Sequence, residues 1–183
     1  MRIQCDLSYP MTRPAALRLG VPAQGMLTHR TLPQLLAPDR LVPGLRRNVD
    51  VLLAWGRRPS ALRVERLARQ WDLPVWHIED GLLRSVAKGR EHPPLALLVD
   101  ELGVHFDATA PSQMEQLIAA PITTDEAARA RALQRLWQEQ RLSKVNPPVE
   151  AEVPQGPYVL VVDQSAGDRS IALGLADAVF SAD

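Results

Sequence analysis

The middle of the chain alternates short apolar runs with one run of helical spacing, which is the pattern of an α/β fold. "VDVLLAW" (49–55) and "DLPVWHI" (72–78) are apolar runs bounded by turn residues, and we interpret both as buried strands. Between them, apolar side chains recur at helical spacing from Ala61 to Trp71, and Ser60 is expected to cap this helix. A strand, a crossover helix and a second strand predict a parallel sheet.

Two more apolar runs follow this unit. "PLALLVD" (94–100) and "GVHFD" (103–107) are expected to be strands, because each is short, apolar and bounded by turn residues. The brief connection between them at Glu101-Leu102 predicts a tight hairpin. The prediction therefore adds an antiparallel piece to the parallel sheet.

Two helices beyond the hairpin are indicated by capping boxes, in which a hydroxyl and a glutamate three residues later satisfy each other's backbone N–H groups. Ser112 with Glu115 opens the first, and Thr123 with Glu126 opens the second. The second helix is expected to bury one apolar face and to leave its arginines in solvent. That face consists of Ala130, Leu133, Leu136 and Trp137.

The two ends of the chain differ from the middle in composition. Residues 1–48 are interrupted by prolines throughout, so they are expected to form only short helices, as a proline-rich first segment of the domain. Residues 49–145 are predicted to form an α/β domain, and residues 146–157 a linker. Residues 158–183 are predicted to hold a strand ("YVLVVD"), a loop and the start of a helix, as the beginning of a second domain.

Composition narrows the class of protein. An apolar share of 46% supplies a core, and 21 basic residues balance 21 acidic ones, so no net charge attracts nucleic acid. Cys5 is the one cysteine, which excludes an intramolecular disulfide and favours a reducing, cytoplasmic setting. The apolar stretches are too short for a membrane helix, the four histidines show no pairing typical of a metal site, and no glycine-rich nucleotide loop is present.

Candidate chemistry lies in three polar clusters that follow predicted strands, where ligands bind in open α/β sheets. They are "WGRRPS" (55–60), "EDGLLRS" (79–85) and "DQSAGDRS" (163–170). Each cluster also has an ordinary structural interpretation, so none of them identifies a site by itself.

The first two clusters can both be solvated. Glu79 and Asp80 can belong to a polar turn with Gly81 at positive φ, and Arg57 and Arg58 can form a solvated face.

The third cluster leaves two further alternatives open. Asp168 can cap the following helix. Asp163 follows a strand in the way the nucleophile of haloacid-dehalogenase-like phosphatases does, although Ser165 stands where that pattern has a second aspartate.

Five motifs together resemble the capsule polysaccharide biosynthesis proteins of the KpsC type, which are retaining β-Kdo transferases of Gram-negative bacteria. They share the order and approximate spacing of the family patterns WGxxPSA, EDGFxRS, PPLSLVxDDxGIYYDAxxPSxLExLL, LSKYN and VDQTxxDxS. In this chain they read "WGRRPSA", "EDGLLRS", "PPLALLVDELGVHFDATAPSQMEQLI", "LSKVN" and "VLVVDQSAGDRSI". The resemblance covers about residues 52–173.

The resemblance implies a Rossmann-like, GT-B-like α/β fold, of which this chain holds the acceptor-side half and the start of the nucleotide-sugar domain. It implies transfer of Kdo from CMP-Kdo to a lipid-linked (phosphatidylglycerol) Kdo acceptor in the cytoplasm or peripherally at the inner membrane, without a cofactor. Retention of configuration requires a carboxylate nucleophile, which the resemblance assigns to Asp168, with Glu79 as acid/base. The substrate pocket that it implies adds Asp80, Gly81, Arg84, Ser85, Gln164 and Arg58.

The nucleotide-binding half of the family lies downstream of the motif that contains Asp168, whereas this chain ends at Asp183. We therefore expect a truncated enzyme, or one that receives this half from a separate chain, and no activity of the chain alone, since the leaving group would be unstabilised. The alternatives are a non-catalytic remnant or binding module of the same family and a phosphotransfer enzyme that uses Asp163.

Overall fold

The computed structural model describes residues 16–22, 24–27, 29–87, 92–146, 154–162, 164 and 167–175. These residues form an α/β fold, as predicted. The strands are β1 (Arg18–Val21), β2 (Arg40–Pro43), β3 (Val51–Trp55), β4 (Val75–Asp80) and β5 (Leu97–Asp100). The helices are α1 (Gln24–Leu27), α2 (Leu32–Leu35), α3 (Pro59–Trp71), α4 (Gln113–Ala119), α5 (Thr124–Glu139) and α6 (Arg169–Leu173).

The strands pair in the order β2-β1-β3-β4-β5. β1, β2, β3 and β4 run parallel, and β5 pairs antiparallel with β4. α3 crosses over from β3 to β4, so the predicted strand–helix–strand unit is confirmed. The carboxyl ends of β3 and β4 consequently lie side by side, which brings residues 56–58 and 79–81 to the same edge of the sheet.

The predicted hairpin over residues 94–107 is wrong in its second half. β5 pairs with β4, and residues 103–107 form no strand but an irregular segment with a turn at 105–106. The Asp100 carboxylate explains the change of direction, because its Oδ1 accepts hydrogen bonds from the N–H groups of Leu102 and Gly103, both at 2.9 Å. Backbone groups that bond a side chain are not available for a strand ladder.

The expectation that residues 1–48 form only short helices is wrong for the described part of that segment. It contributes β1 and β2 in addition to α1 and α2, and β1 lies inside the sheet with Leu19 and Val21 buried. Each strand has four residues, which is too few to show periodicity among prolines. Pro43 is tolerated because β2 is an edge strand.

Apolar clusters cover both faces of the sheet, which explains why β3 is a continuous apolar run. On one face, Leu52 and Ala54 pack against α3. The cluster on the other face includes side chains from α1 and α2. It consists of Leu19, Val21, Met26, Leu32, Leu36, Val51, Leu53, Trp76 and Ile78.

The predicted helix at 61–71 is confirmed as α3, but its predicted cap is wrong. Arg58 occupies the N-cap position in an extended conformation, and its side chain makes no capping hydrogen bond. Pro59 starts the helix, where a missing N–H costs nothing because that group has no helical partner. Ser60 therefore lies in the first turn of the helix.

Both predicted capping boxes are confirmed at α4 and α5. The predicted burial of one face of α5 is wrong in the part of the chain that the structure describes. No α5 side chain is buried there, and Leu133 is 44% exposed. Helical spacing predicts an apolar face, but the burial of that face depends on a covering element.

The predicted strand over 158–163 is wrong for its described residues, 158–162, which are irregular and pair with no described strand. Their side chains are exposed, with Val159 at 89%. Asp163 lies outside the described residues, and the boundaries at 146–157 stay a prediction. Within the described ranges, no helix is both long and apolar enough to cross a bilayer.

Candidate functional site

Glu79 and Asp80 end β4 and project to opposite faces of the sheet, because side chains alternate along a strand. His77 and Glu79 lie on the face that carries α3, together with Val75. Ile78 and Asp80 lie on the other face. The two adjacent carboxylates predicted to share one site therefore have different surroundings.

A cavity of about 90 Å³ lies beside Glu79, between the last two strands and α4. Its third wall comes from the cavity loop, the name used here for residues 103–109. Apolar and polar side chains line it in equal number, and four of the polar ones are titratable. The lining residues are His77, Glu79, Leu98, Val99, Asp100, Gly103, Val104, His105, Gln113, Met114 and Leu117.

The carboxyl group of Glu79 has a raised pKa. Burial raises its pKa above that of an ordinary glutamate, and the adjacent Asp80 charge acts in the same direction. A hydrogen bond from the Asp80 backbone N–H opposes this shift most strongly, and the positive charges of Arg58 and Lys144 oppose it as well. A carboxyl group with a raised pKa next to a cavity is suited to giving and taking a proton near neutral pH.

Glu79 also lies directly against the turn that follows β3. A Cβ atom added at Gly56 would overlap Glu79 Oε1 and would lie 3.8 Å from Phe106 Cζ. Gly56 has φ +52°, a conformation that favours glycine. Glycine is therefore favoured at position 56 for two reasons, the backbone conformation and the space that Glu79 occupies.

Asp80, Arg84 and Ser85 form a compact polar cluster on the other side of β4. Arg84 Nε donates to Asp80 Oδ2 at 2.9 Å, and Arg84 Nη1 donates to Ser85 Oγ at 2.7 Å and to the carbonyl oxygen of His92 at 3.2 Å. Ser85 Oγ donates to the carbonyl oxygen of Ala87 at 2.7 Å. These contacts hold the chain after β4 in place, and a role of the three residues in substrate binding stays a prediction.

Gly81 follows β4 at a position where a larger side chain would collide with Ala96. The expectation of a positive φ at Gly81 is wrong. A Cβ there would approach Ala96 Cβ to 2.6 Å, and the N–H of Gly81 donates to the carbonyl oxygen of Ala96 at 3.0 Å. Gly81 therefore allows residues 95–96 to pack against the end of β4.

The segment "LSKVN" is joined to "EDGLLRS" by backbone hydrogen bonds. The N–H groups of Arg84 and Ser85 donate to the carbonyl oxygen of Lys144 at 2.8 and 3.3 Å, and the N–H of Asn146 donates to that of Ser85 at 3.2 Å. This pairing brings Lys144 close enough for its charge to lower the pKa of Glu79. Two motifs about sixty positions apart thus belong to one structural unit.

Asp168 caps α6, which the sequence analysis gave as the structural alternative for this residue. Its Oδ1 accepts a hydrogen bond from the N–H of Ser170 at 2.9 Å, which lowers the pKa of Asp168, and Lys144 lowers it further. The N–H of Ala108 donates to the carbonyl oxygen of Leu173 at 2.8 Å, so α6 contacts the cavity loop. The charge of Lys144 thus lowers the pKa of both Glu79 and Asp168. The remaining predicted residue of this segment, Gln164, is exposed.

Arg57 and Asp107 are site residues that the sequence analysis did not identify. Arg57 was expected on a solvated face with Arg58, but only Arg58 is exposed. Arg57 Nε donates to Asp107 Oδ2 at 2.7 Å, and Asp107 is buried. The two residues are fifty positions apart, so no local pattern could pair them. A signal was present, however, because an aspartate ending an apolar run must be paired if it is buried.

Two solved structures resemble this chain. One is Thermosulfurimonas dismutans KpsC, beta Kdo 2,4 transferase, with a TM-score of 0.78 and 32% identity, covering 90% of this chain and 54% of that one. The other is T. dismutans KpsC, beta Kdo 2,7 transferase, with a TM-score of 0.58 and 22% identity, covering 85% and 51%; it shows the fold alone. The fold is that of the KpsC-type Kdo transferases, and the predicted GT-B-like α/β class is confirmed.

Sequence comparisons give the family. Residues 50–133 match the family model described as capsule polysaccharide biosynthesis protein. Capsule polysaccharide modification protein LipA of Neisseria meningitidis serogroup A is 32% identical in an alignment of 170 residues, and the match covers 86% of this chain and 24% of LipA. The lipopolysaccharide-processing protein LpsZ of Rhizobium meliloti is 39% identical in an alignment of 113 residues, and the match covers 57% of this chain and 26% of LpsZ.

This chain belongs to the capsule polysaccharide biosynthesis family. It spans about a quarter of the length of the curated relatives that it matches.

Proposed function

We propose that this chain forms the acceptor-side part of a retaining β-Kdo transferase, which moves Kdo from CMP-Kdo to a lipid-linked (phosphatidylglycerol) Kdo acceptor. The observation that carries the proposal is the Glu79 carboxyl group, with its raised pKa, beside a cavity at the carboxyl end of a parallel strand. The likeness to a β-Kdo 2,4 transferase at 32% identity supports the same reaction class. Further polypeptide, in the same or a separate chain, supplies the nucleotide-binding half.

In the first step, Asp168 acts as the nucleophile. The Ser170 N–H and the Lys144 charge lower the pKa of Asp168, so its carboxylate is ionised at neutral pH. The carboxylate attacks the anomeric carbon of Kdo, the bond from that carbon to the phosphate oxygen breaks, and CMP leaves with the electron pair. The result is an ester of Kdo with Asp168.

In the second step, Glu79 acts as the general base. It takes the proton from the acceptor hydroxyl while the hydroxyl oxygen attacks the anomeric carbon and the Asp168 carboxylate departs. Two inversions at the same carbon give net retention. Burial favours this role, because it raises the pKa of Glu79 and a carboxylate of higher pKa is a stronger base.

The remaining predicted substrate residues fall into two groups. Arg58 is exposed, and its charge acts on Glu79, so we assign it to the carboxylate of Kdo or the phosphate of the donor, with exposed Gln164 in the same pocket. Asp80, Gly81, Arg84 and Ser85 instead shape the chain beside the pocket, because their polar groups bind one another and neighbouring backbone.

We extend the proposal to the cellular site of the reaction and to the glycosidic linkage that it forms. A lipid-linked acceptor places the reaction at the cytoplasmic face of the inner membrane, with the protein attached peripherally. The higher identity and TM-score with the 2,4 transferase than with the 2,7 transferase favour a β-2,4 linkage.

A transfer assay with a chimera tests the proposal. We expect a polypeptide of residues 1–183 alone to give no transfer from CMP-Kdo to a Kdo-lipid mimic. A chimera in which this chain replaces the matched part of the T. dismutans 2,4 transferase should be active. Glu79→Gln in the chimera should abolish transfer, and Glu101→Gln, at an exposed glutamate, should preserve it.

Two outcomes of this assay would contradict the proposal. Turnover by residues 1–183 alone would show that no further half is required. Undiminished turnover in the Glu79→Gln chimera would remove Glu79 from the chemistry.

A further inference from the structure

Arg57 joins two carboxylates that belong to different segments of the chain. Its Nε donates to Asp107 Oδ2 at 2.7 Å, and its Nη1 donates to Glu65 Oε1 at 2.6 Å. The side chains of Arg57, Glu65 and Asp107 are only 16%, 15% and 3% exposed. The guanidinium group therefore connects the turn after β3, helix α3 and the cavity loop through charge-assisted hydrogen bonds of low exposure.

The Asp107 and Glu65 carboxylates, which bind Arg57, also contact other residues. Thr109 donates its N–H at 3.0 Å and its hydroxyl at 2.5 Å to Asp107 Oδ1. Glu65 Oε1 lies 3.7 Å from His77 Nε2. His77 Nδ1 in turn lies 3.4 Å from the carbonyl oxygen of Gly56. The network thus returns to the residue that precedes the arginine.

Two chain neighbours of this ion pair, Gly56 and Phe106, lie near the Glu79 carboxyl group. Gly56, next to Arg57, is the residue against which Glu79 Oε1 lies. Phe106, next to Asp107, has its Cζ 3.8 Å from a Cβ placed at Gly56. A shift of either segment would change the space in which the carboxyl group is held.

We infer that Arg57 is a positioning residue, which fixes the orientation of the Glu79 carboxyl group by holding the Gly56 turn and the cavity loop against α3. The inference rests on the role proposed above for Glu79. It assigns Arg57 no contact with substrate. The arginine acts through the two segments that it joins.

An electrostatic role and a positioning role of Arg57 predict opposite changes at Glu79. Removing a positive charge raises the pKa of a nearby carboxyl group, as the lowering by Arg58 and Lys144 implies. Loosening the turn and the cavity loop admits water to the carboxyl group. Because burial is the main cause of the raised pKa of Glu79, added water would lower that pKa.

Titration of Glu79 by carbon NMR in residues 1–183 distinguishes the two roles. In Arg57→Gln, we expect the pKa of Glu79 to fall. In the matched control Arg58→Gln, at the next position, we expect it to rise. Arg57→Lys should behave like Arg57→Gln, since one ammonium group lacks the planar fork that bonds both carboxylates. An unchanged or raised pKa in folded Arg57→Gln would contradict the inference.

A second variant covers the case in which Arg57→Gln does not fold. Asp107→Asn keeps the shape of the side chain and breaks the ion pair from the other side, so the pKa of Glu79 should fall there too. Failure of both variants to fold would assign Arg57 to stability alone and contradict a positioning role. The readout requires neither donor nor acceptor, so a failure of the proposed transfer reaction would not alter it.

Discussion

The carboxyl group of Glu79 occupies the space where Gly56 would carry a side chain. Gly56 directly follows β3, and Glu79 is the second-last residue of the neighbouring parallel strand β4. Glu79 thus lines the cavity and also packs against the turn at Gly56.

Gly56→Ala should lower the free energy of unfolding by about 2–4 kcal/mol, from a strained φ and from displacement of Glu79. Gly44→Ala is the matched control, because Gly44 also has positive φ (84°) but only Arg46 Nε, at 3.9 Å, lies near its added Cβ. The control should cost about 1–2 kcal/mol. Equal losses in urea unfolding would show that Glu79 does not occupy this space.

The stabilisation that ionised Asp100 gives to the fold should be lost in acid. Burial raises its pKa, but the N–H groups of Gly103, Gln113, Leu102 and Met114 outweigh this and lower the pKa overall. A lowered folded-state pKa means that the stabilisation is complete above the unfolded-state pKa of about 4 and is lost as the pH falls through the folded-state value.

The corresponding measurement is the free energy of unfolding as a function of pH. Asp100→Asn should lower this free energy at pH 7 by about 1–3 kcal/mol, through loss of charge-assisted hydrogen bonds. It should also flatten the decline below about pH 5. Asp125→Asn, at an exposed position in the first turn of α5, should leave the slope unchanged. A wild-type slope in Asp100→Asn would contradict the assignment.

Arg84 should prove to be a structural residue. Arg84→Ala removes the partner of Asp80 Oδ2 in a partly buried ion pair, in which Asp80 Oδ1 is already buried without a hydrogen-bond partner. We expect a loss of about 1–3 kcal/mol in the free energy of unfolding, against about 0.5 kcal/mol or less for Arg58→Ala at an exposed site. An unchanged free energy of unfolding in Arg84→Ala would instead favour a role of Arg84 in substrate binding.

The exposed apolar residues 158–162 should bind hydrophobic surfaces. Leu160 and Val162 are 75% and 82% exposed, so their replacement by serine should reduce binding of a hydrophobic dye by residues 1–183 and any self-association seen by sedimentation. Leu62→Ser, at a single exposed leucine on α3, serves as the control and should have little effect. Unchanged dye binding in the double variant would contradict this prediction.

Features fixed by local sequence could be predicted, and those fixed by distant partners could not. The two strands flanking α3 and both capping boxes depend on residues within a few positions, and all are confirmed. "GVHFD" has the composition of a strand, but the Asp100 side chain binds the N–H groups of Leu102 and Gly103, where the hairpin would turn. The α5 face and residues 158–162 have apolar patterns, yet no described element covers them.

The same distinction applies to the site. Glu79 could be proposed from its place after a strand and from a motif. Burial raises its pKa, and its carboxyl group lies against Gly56 and near Phe106, the chain neighbours of the ion pair between Arg57 and Asp107. These residues come from separate segments, so only the fold brings them together.

The proposed two-step mechanism requires Asp168 to carry Kdo covalently between donor and acceptor. The most direct measurement is intact-mass and peptide mass spectrometry of the Glu79→Gln chimera after incubation with CMP-Kdo and acceptor, because loss of the base should slow the second step and let the ester accumulate. We predict one added Kdo, mapped to Asp168 and absent in Asp168→Asn, which keeps a side chain able to cap α6. An adduct at another residue, or transfer by the Asp168→Asn chimera at the rate of the unmodified chimera, would contradict the account.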